Sequence, residues 1–276
     1  MVNNLASDIF SLAHKTTLVT GAGGFLGRTF CEALLANGSD LVVLGRSDKL
    51  NATADEWRAR YSERRITVKL LDMYDLTRLE SELTTIGPID ILINNAHELG
   101  PATGFNTTEG SLDKADFEQW SRNLMAGAYW PALASRVIGG AMCQRGKGNI
   151  INISSMYGIV APSPMLYEGT SFLNPPGYSA AKAAMLALTR YTASFWGRKG
   201  VRCNALVPGP FSNTEDAGAN SVGKADPFLD RLRDRTCLGR IGSPSELVGA
   251  LLFLASDASS YMTGQALVVD GGWTTT

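Results

Sequence analysis

Apolar runs and polar or charged stretches alternate in a regular order along the chain. Short apolar runs predict β-strands at residues 16–20, 41–44, 66–71, 89–93, 149–153, 201–207 and 266–269. Amphipathic stretches between the first four runs predict helices at residues 26–37, 52–64 and 76–86. The run at 89–93 is apolar on both faces, as buried parallel strands are. This alternation predicts an α/β fold, a doubly wound parallel sheet of about seven strands with helices on both faces.

A further predicted helix, at residues 178–196, is rich in alanine and apolar on nearly every side. A helix that is apolar all round is buried all round. One side can cover the sheet, and the other side then needs a second partner. We expect this helix and residues 117–143 to form an interface between copies of the chain in a homo-oligomer, a dimer or a tetramer.

The pattern contains no linker, repeat or low-complexity tract, so residues 1–276 are predicted to form a single domain. Two segments, residues 156–177 and 212–235, interrupt the alternation directly after strands. Ligands bind at the carboxyl ends of the strands in such sheets. We therefore expect residues 156–177 to form an insertion that serves as a substrate lid, and residues 212–235 to form a substrate loop.

Composition narrows the class of protein and of partner. With 45% hydrophobic residues, 18% charged residues and a net charge of −1, the chain is expected to be globular and to bind neither nucleic acid nor an anionic membrane. Two histidines and four dispersed cysteines offer little material for a metal site, and none is expected. Cysteines without a pairing pattern, and the lack of a signal or membrane-spanning segment, indicate a cytoplasmic protein.

A glycine-rich turn follows the first predicted strand and opens the first predicted helix. Gly21, Gly24 and Gly27 allow a sharp turn and close packing of the helix on the strand. The helix directs its free N–H groups and the positive end of its dipole at the turn, which suits a pyrophosphate. The context of strand, turn and helix favours a Rossmann-like dinucleotide site over an ordinary connection between strand and helix.

Tyr178 and Lys182 are four residues apart on the predicted helix at 178–196 and share one of its faces. A phenol, with a pKa of about 10, is a poor acid–base catalyst at neutral pH, but a nearby ammonium group favours the phenolate. The predicted strand at 149–153 is followed by Ser155, whose hydroxyl can hydrogen-bond a substrate oxygen. Together these residues indicate acid–base chemistry at an oxygen atom, whereas the Tyr–Lys pair alone would favour a simple surface pair.

Eight short motifs resemble, in their order, the single-domain branch of the short-chain dehydrogenase/reductase family over nearly the whole chain. They are Thr20–Gly27, Asp72, Asn94-Asn95-Ala96, Asn123-Leu124, Ile153-Ser154-Ser155, Tyr178-Ser179-Ala180-Ala181-Lys182, Pro208-Gly209 and Asp270-Gly271-Gly272-Trp273. Each motif alone is weak, but the whole set in the family's order is specific.

The resemblance implies roles for the matching residues. Tyr178 would exchange a proton with the substrate oxygen, and Ser155 would orient that oxygen. Lys182 would bind the nicotinamide ribose and lower the pKa of Tyr178, while Asn123 would hold a water that links Lys182 to solvent. Asp72 would accept a hydrogen bond from the adenine amino group. The implied cofactor-binding residues are Gly21, Gly23, Gly24, Phe25, Leu26, Gly27, Asp72, Met73, Asn94, Ala96, Tyr178, Lys182, Pro208, Gly209, Phe211 and Thr214.

The chain departs from the family pattern in three places. Phe25 stands where single-domain members usually have glycine, and the glycine spacing is closer to that of extended members such as sugar-nucleotide epimerases. His97 replaces a usual glycine, where it would either contact substrate or pack in its loop. The gap between Ser155 and Tyr178 is about ten residues longer than usual, which marks a specialised insertion.

Arg46 follows the second predicted strand and bears on the choice of cofactor. An acidic residue near this point would bind the ribose 2′-hydroxyl of NAD, and none occurs before Asp48. A guanidinium group suits a 2′-phosphate instead. We therefore favour NADP over NAD, with a solvated arginine as the alternative role for Arg46.

These observations predict an NAD(P)(H)-dependent oxidoreductase that interconverts a secondary alcohol and a ketone. Tyr157, Tyr167 and Glu168 in the insertion carry groups that can bind hydroxyls, so a sugar or another polyhydroxy compound is the favoured substrate. The alternatives are a 3-oxoacyl reductase and a sugar-nucleotide epimerase or dehydratase that retains its cofactor. The complete set of catalytic residues argues against a catalytically silent regulator that only binds the cofactor.

Overall fold

A parallel β-sheet forms the centre of the protein, whose computed structural model describes residues 9–211 and 227–275. The strands are β1 (Thr16–Thr20), β2 (Asp40–Gly45), β3 (Ile66–Leu70), β4 (Ile91–Asn94), β5 (Gly148–Ile153), β6 (Val201–Pro208) and β7 (Ala266–Val269). Their order is β3-β2-β1-β4-β5-β6-β7 in a seven-stranded sheet. The strand order reverses between β1 and β4, which creates a ligand crevice at the carboxyl ends. The predicted α/β fold is confirmed.

Helices cover both faces of this sheet. They are α1 (Phe25–Ala36), α2 (Lys49–Arg60), α3 (Leu76–Thr85), α4 (Phe117–Leu124), α5 (Trp130–Ala134), α6 (Gly140–Arg145), α7 (Pro176–Trp196), α8 (Pro227–Arg235) and α9 (Val248–Ala255). One apolar core, built around Phe30 and Trp57, lies under α1, α2 and α9. The core on the other face is built around Leu79 and Leu133. Among the described residues, no helix combines the length and the apolar character needed to cross a bilayer.

Two π-helical turns, Met125–Tyr129 and Ser135–Gly139, interrupt the helical segment that runs from α4 to α6. The first contains Gly127, where an added Cβ atom would lie 2.6 Å from the Cβ of Ala181 in α7. A side chain at this position would push the two helices apart, so glycine permits their close approach. The turn begins two residues after Asn123 and therefore helps to determine where that residue lies relative to α7.

Candidate active site

A cleft of about 810 Å³ lies at the carboxyl ends of the central strands. Its lining includes most of the predicted site residues: Gly21, Gly23, Gly24, Phe25, Leu26, Gly27, Arg46, Asp72, Met73, Ala96, Ser155, Tyr178, Lys182, Pro208, Gly209 and Phe211. The glycine turn and the acid–base candidates thus share one cavity. Thr214 lies outside the described residues.

The turn after β1 has a backbone that fits a dinucleotide. Gly21 has a φ of +67°, and a Cβ atom at Gly27 would lie 2.2 Å from the Gly21 oxygen. Gly24 caps α1 without a side-chain hydrogen bond, and the first turn of α1 has no acidic residue. The helix N-terminus can therefore receive an anion. Asn95 stabilises the turn by donating to the backbone oxygens of Thr20 and Gly21, each at 3.1 Å.

The side chain of Asn94 points into the sheet and does not line this cleft. Its buried side chain donates to Asn152 Oδ1 at 2.8 Å and to Ser135 Oγ at 3.4 Å. Asn94 ends β4 directly beside Asn152 of β5, which makes its amide part of a polar contact within the sheet. Asn95 lines the cleft instead. The sequence could have indicated this difference. Two consecutive asparagines at a strand end direct their side chains to opposite faces, so only one of them can line the cleft.

The outer end of the cleft is rich in cationic groups. Arg46 follows β2 and is exposed, and Arg28, Ser47 and Lys49 line the same end. Arg28 also approaches Glu56 at 4.0 Å, so part of its charge is balanced. This surrounding suits a phosphate group at the end of a bound dinucleotide.

Two serines after β5 make different contacts. Ser154 Oγ donates to the backbone oxygen of Lys182 at 2.9 Å and joins the strand to α7. Ser155 Oγ accepts the Tyr157 N–H at 3.2 Å. A hydrogen bond from Ser155 also acts to lower the pKa of Tyr178. Ser155, the residue that the sequence predicts, is therefore the serine that faces the phenol.

Lys182 lies close to Tyr178, with its Nζ 5.5 Å from the centre of the phenol ring. Nζ donates to the backbone oxygen of Ile153 at 2.9 Å. Burial lowers the pKa of Lys182 to about 7. Burial also raises the pKa of Tyr178, against the effect of Ser155. The pKa of Tyr178 is therefore raised rather than lowered, and Lys182 does not contribute to the shift.

Asn123 is buried and does not line the cleft. Its Nδ2 donates to the backbone oxygens of Thr103 and Gln119, both at 2.8 Å. Gly177 permits this arrangement, since an added Cβ atom would lie 2.9 Å from Asn123 Nδ2. The start of α7 and the end of α4 are thus in direct contact beside Tyr178.

Two further rings contact Tyr178: His97, for which the sequence left substrate contact and loop packing open, and Phe105, which had no role assigned. His97 lies with its ring centre 5.0 Å from that of Tyr178, and Phe105 at 4.9 Å, both edge to face. His97 already stood out as a departure from the family pattern. Phe105 lies between β4 and α4, where neither periodicity nor a motif distinguishes it.

The insertion packs on α8. Arg231 donates from Nε to the Leu166 oxygen at 2.9 Å and from Nη2 to the Glu168 oxygen at 2.8 Å. Residues 227–235, predicted as the end of the substrate loop, therefore form a helix that holds the insertion. Residues 212–226 of that loop lie outside the described residues.

Aromatic residues extend this contact toward Tyr178. The Tyr167 ring packs on Phe228 of α8 with centres 5.7 Å apart. The hydroxyl oxygens of Tyr167 and Tyr157 lie 3.4 Å apart. Tyr178 packs against the same cluster. The insertion thus places two phenol groups in the aromatic cluster that packs against Tyr178.

Comparisons with known proteins agree with this geometry. Residues 21–274 match a family model described as Enoyl-(Acyl carrier protein) reductase. Galactitol 2-dehydrogenase (L-tagatose-forming) from Cereibacter sphaeroides is 35% identical over 267 residues, which cover 96% of this chain and 97% of that protein. Gluconate 5-dehydrogenase from Gluconobacter oxydans is 33% identical over 277 residues and 97% of each protein.

A solved structure extends the similarity to the fold. Gluconate 5-dehydrogenase from Burkholderia cenocepacia, crystallised with NADP and tartrate, matches with a TM-score of 0.81 and 30% identity, over 98% of this chain and 99% of that one. The chain belongs to the short-chain dehydrogenase/reductase family. The predicted family and the predicted class of enzyme, an oxidoreductase that acts on CH–OH groups, are confirmed.

Proposed function

We propose that this enzyme uses NADP(H) to interconvert a secondary alcohol and a ketone on a polyhydroxy compound. The observation that carries the proposal is the single cleft that holds the glycine turn together with Ser155, Tyr178 and Lys182. The names of two relatives specify galactitol and gluconate, both of which carry secondary hydroxyls, and a related structure was crystallised with NADP.

In this proposal the catalytic residues divide proton transfer and binding between them. Tyr178 donates a proton to the ketone oxygen in reduction and accepts one from the alcohol in oxidation. Ser155 holds the same oxygen by a hydrogen bond. Lys182 binds the ribose, and Asn123 links Lys182 to solvent. The cofactor supplies or accepts the hydride when it is bound.

Cofactor binding is assigned to the rest of the cleft. The glycine turn receives the pyrophosphate at the N-terminus of α1. Asp72 and Met73 hold the adenine, and Arg46 binds the 2′-phosphate. Gly209 and Phe211, after β6, contact the carboxamide. Both ends of the dinucleotide therefore have partners that match their charge and polarity.

We further propose that the insertion is a substrate lid and that the enzyme works as a homo-oligomer in the cytoplasm. The contacts between the insertion and α8 support a separate substrate wall. All four cysteines are free thiols, which supports a reducing compartment. The support for assembly is an exposed apolar surface that includes Phe117, Tyr191 and Phe195.

The test is a panel of alcohols and ketones assayed by nicotinamide absorbance with both cofactors. It includes polyols, aldonates, ketoses and a 3-oxoacyl thioester. Tyr178→Phe removes the proton donor at almost constant volume and should lower turnover by about 10²–10⁴-fold while cofactor affinity is retained. Near-normal turnover in this variant would contradict the assignment. Conversion of a sugar nucleotide without net redox would favour the epimerase alternative.

A further inference from the structure

His97 occupies the inner wall of the cleft, three residues after the end of β4. Its ring is edge-on to Tyr178 and lies against Gly127, where an added Cβ atom would come within 3.1 Å of His97 Cε1. The first π turn thus leaves room for an imidazole beside Tyr178. The His97 imidazole has no role among the residues assigned to the proposed reaction.

Unpaired polar atoms are concentrated at this point. Both ring nitrogens of His97 are closed off from solvent and have no hydrogen-bond partner among the described residues, and the same holds for Asn123 Oδ1. The two amide protons of Asn123 are already donated to Thr103 and Gln119, so the amide orientation is determined and its oxygen is left over. Buried polar atoms without partners are rare because they lose their hydration.

The chemistry of the two side chains is complementary. Burial and the charge of Lys182 lower the pKa of His97 well below its usual value, against the opposing effect of Asn123. A neutral imidazole has one N–H donor and one acceptor nitrogen. The amide oxygen of Asn123 can only accept a hydrogen bond, and the imidazole N–H of His97 can donate one to it.

The other charged groups nearby are already engaged. Glu98, the next residue, accepts from Arg122 at 3.1 Å and also from the Tyr74 hydroxyl. Lys182 and Tyr178 are the titratable groups that α7 directs toward the ring. The imidazole therefore packs between Tyr178 and Gly127, and Gly127 lies one helical turn after Asn123.

We propose that His97 is a positioning residue for proton transfer, which donates its N–H to the remaining amide oxygen of Asn123 and offers its second nitrogen as an acceptor beside Lys182 and Tyr178. The inference rests on the proposed function, because it assigns His97 to the end of the same proton path. Loss of the two ring nitrogens of His97 should leave the Asn123 amide oxygen without a donor and slow proton transfer, without affecting the contacts to the pyrophosphate or the adenine.

A matched pair of substitutions separates hydrogen bonding from packing. Gln and Met have similar length and volume, but only Gln has a donor and an acceptor. With the best substrate of the panel, His97→Met should lower kcat by about tenfold or more and raise the solvent deuterium isotope effect. His97→Gln should retain most of kcat and the wild-type isotope effect. The dissociation constant for NADPH should stay within about twofold in both variants. Equal losses in the two variants, or no loss in either, would overturn the proposal.

Nitrogen NMR provides a readout that does not depend on activity. The chain has only two histidines, exposed His14 and His97, so ¹⁵N-histidine labelling gives two sets of signals, and His97→Gln assigns them. His97 should show one protonated and one bare nitrogen from pH 6 to 8. A doubly protonated His97 in this range contradicts the proposal. Full activity of Tyr178→Phe would instead remove the proposed function, and an inactive Tyr178→Phe with normal His97→Met would remove only this inference.

Discussion

Lys182 destabilises the fold of the free protein at neutral pH. It is buried with one hydrogen bond, to Ile153, and burial lowers its pKa to about 7. An unfolded lysine has a pKa of about 10.4. Between these two values the unfolded chain binds more protons than the folded chain. The contribution of this residue to the free energy of unfolding therefore increases as the pH rises from 7 toward 10.

Lys182→Met should abolish activity and stabilise the protein at pH 7. Each unit of pKa difference corresponds to ~1.4 kcal/mol, so we expect a gain of roughly 2–4 kcal/mol in the free energy of unfolding. The gain should shrink by pH 9.5, because the free-energy cost of removing the proton from this lysine on folding falls as the pH approaches the pKa of the unfolded residue. Urea unfolding at both pH values measures it, with exposed Lys199→Met as the control. A gain that is the same at both pH values would contradict this account.

Arg46 is expected to determine the preference for NADP. Arg46→Asp replaces attraction to a 2′-phosphate by repulsion, so the dissociation constant for NADPH should rise by about tenfold or more and that for NADH should change little. Added salt should reduce the effect, because Arg46 is exposed. Arg60→Asp on α2 is the matched control, since it makes the same change of charge at a residue outside the cleft lining. Equal changes for both cofactors would leave Arg46 as a solvated residue.

At the scale of elements, the strands were predictable because burial on both faces leaves continuous apolar runs. The turn after β1 was predictable for a related reason, since only glycine tolerates the approach of Gly27 to the Gly21 oxygen. Strand ends were less certain by one or two residues. This small uncertainty decided which asparagine was assigned to the cleft. A shift of one residue moves a side chain from the cleft, where Asn95 lies, to the sheet interior, where Asn94 lies.

The helical segment from α4 to α6 could not be predicted in the same detail. Its two π turns depend on tertiary contacts, such as Gly127 against Ala181 and Gly139 against Trp196, which periodicity does not reveal. The sequence also did not predict α8 and α9 as helices, because they too depend on tertiary contacts that periodicity does not reveal. The placement of Asn123 beside His97 follows from these contacts and could be found only in the structure.

The insertion provides a prediction at the same scale. Deleting about ten residues around Pro164–Tyr167 should change KM or substrate preference by a large factor and leave cofactor dissociation constants nearly unchanged. Arg231→Ala is a milder change, which removes both hydrogen bonds between α8 and the insertion. It should shift KM in the same direction as the deletion.

The control for these variants is Arg240→Ala. Arg240 pairs with Glu246 at 2.6 Å, so its loss tests the effect of removing a paired surface arginine. The substrate panel, cofactor binding and melting temperature are measured on all three variants. If the deletion lowers stability or assembly but retains the original substrate preference, the insertion is a packing flap and not a lid.

At the scale of the whole molecule, two separate apolar surfaces remain uncovered in one chain. The first, the α4/α7 surface, includes Phe117, Leu124, Tyr191 and Phe195, with the last two rings stacked at 4.3 Å. The second, the β7 edge, includes Val268 on the last strand of the sheet and Tyr261 in the turn that precedes this strand. An edge strand offers unpaired backbone groups and a large apolar patch favours association. Two independent surfaces of this kind fit a tetramer with two types of two-fold interface.

This arrangement predicts how the assembly should come apart. Phe195→Glu places a charge in the α4/α7 surface and should leave dimers joined through the β7 edge, since a buried unpaired charge is costly. Val268→Glu should leave dimers joined through the α4/α7 surface, and the double variant should be a monomer. Ala59→Glu, on exposed α2, is the control and should remain tetrameric. Sedimentation velocity at micromolar concentration distinguishes the three states. A wild-type monomer would contradict the model, and monomers from either single variant would show that one interface cannot form without the other.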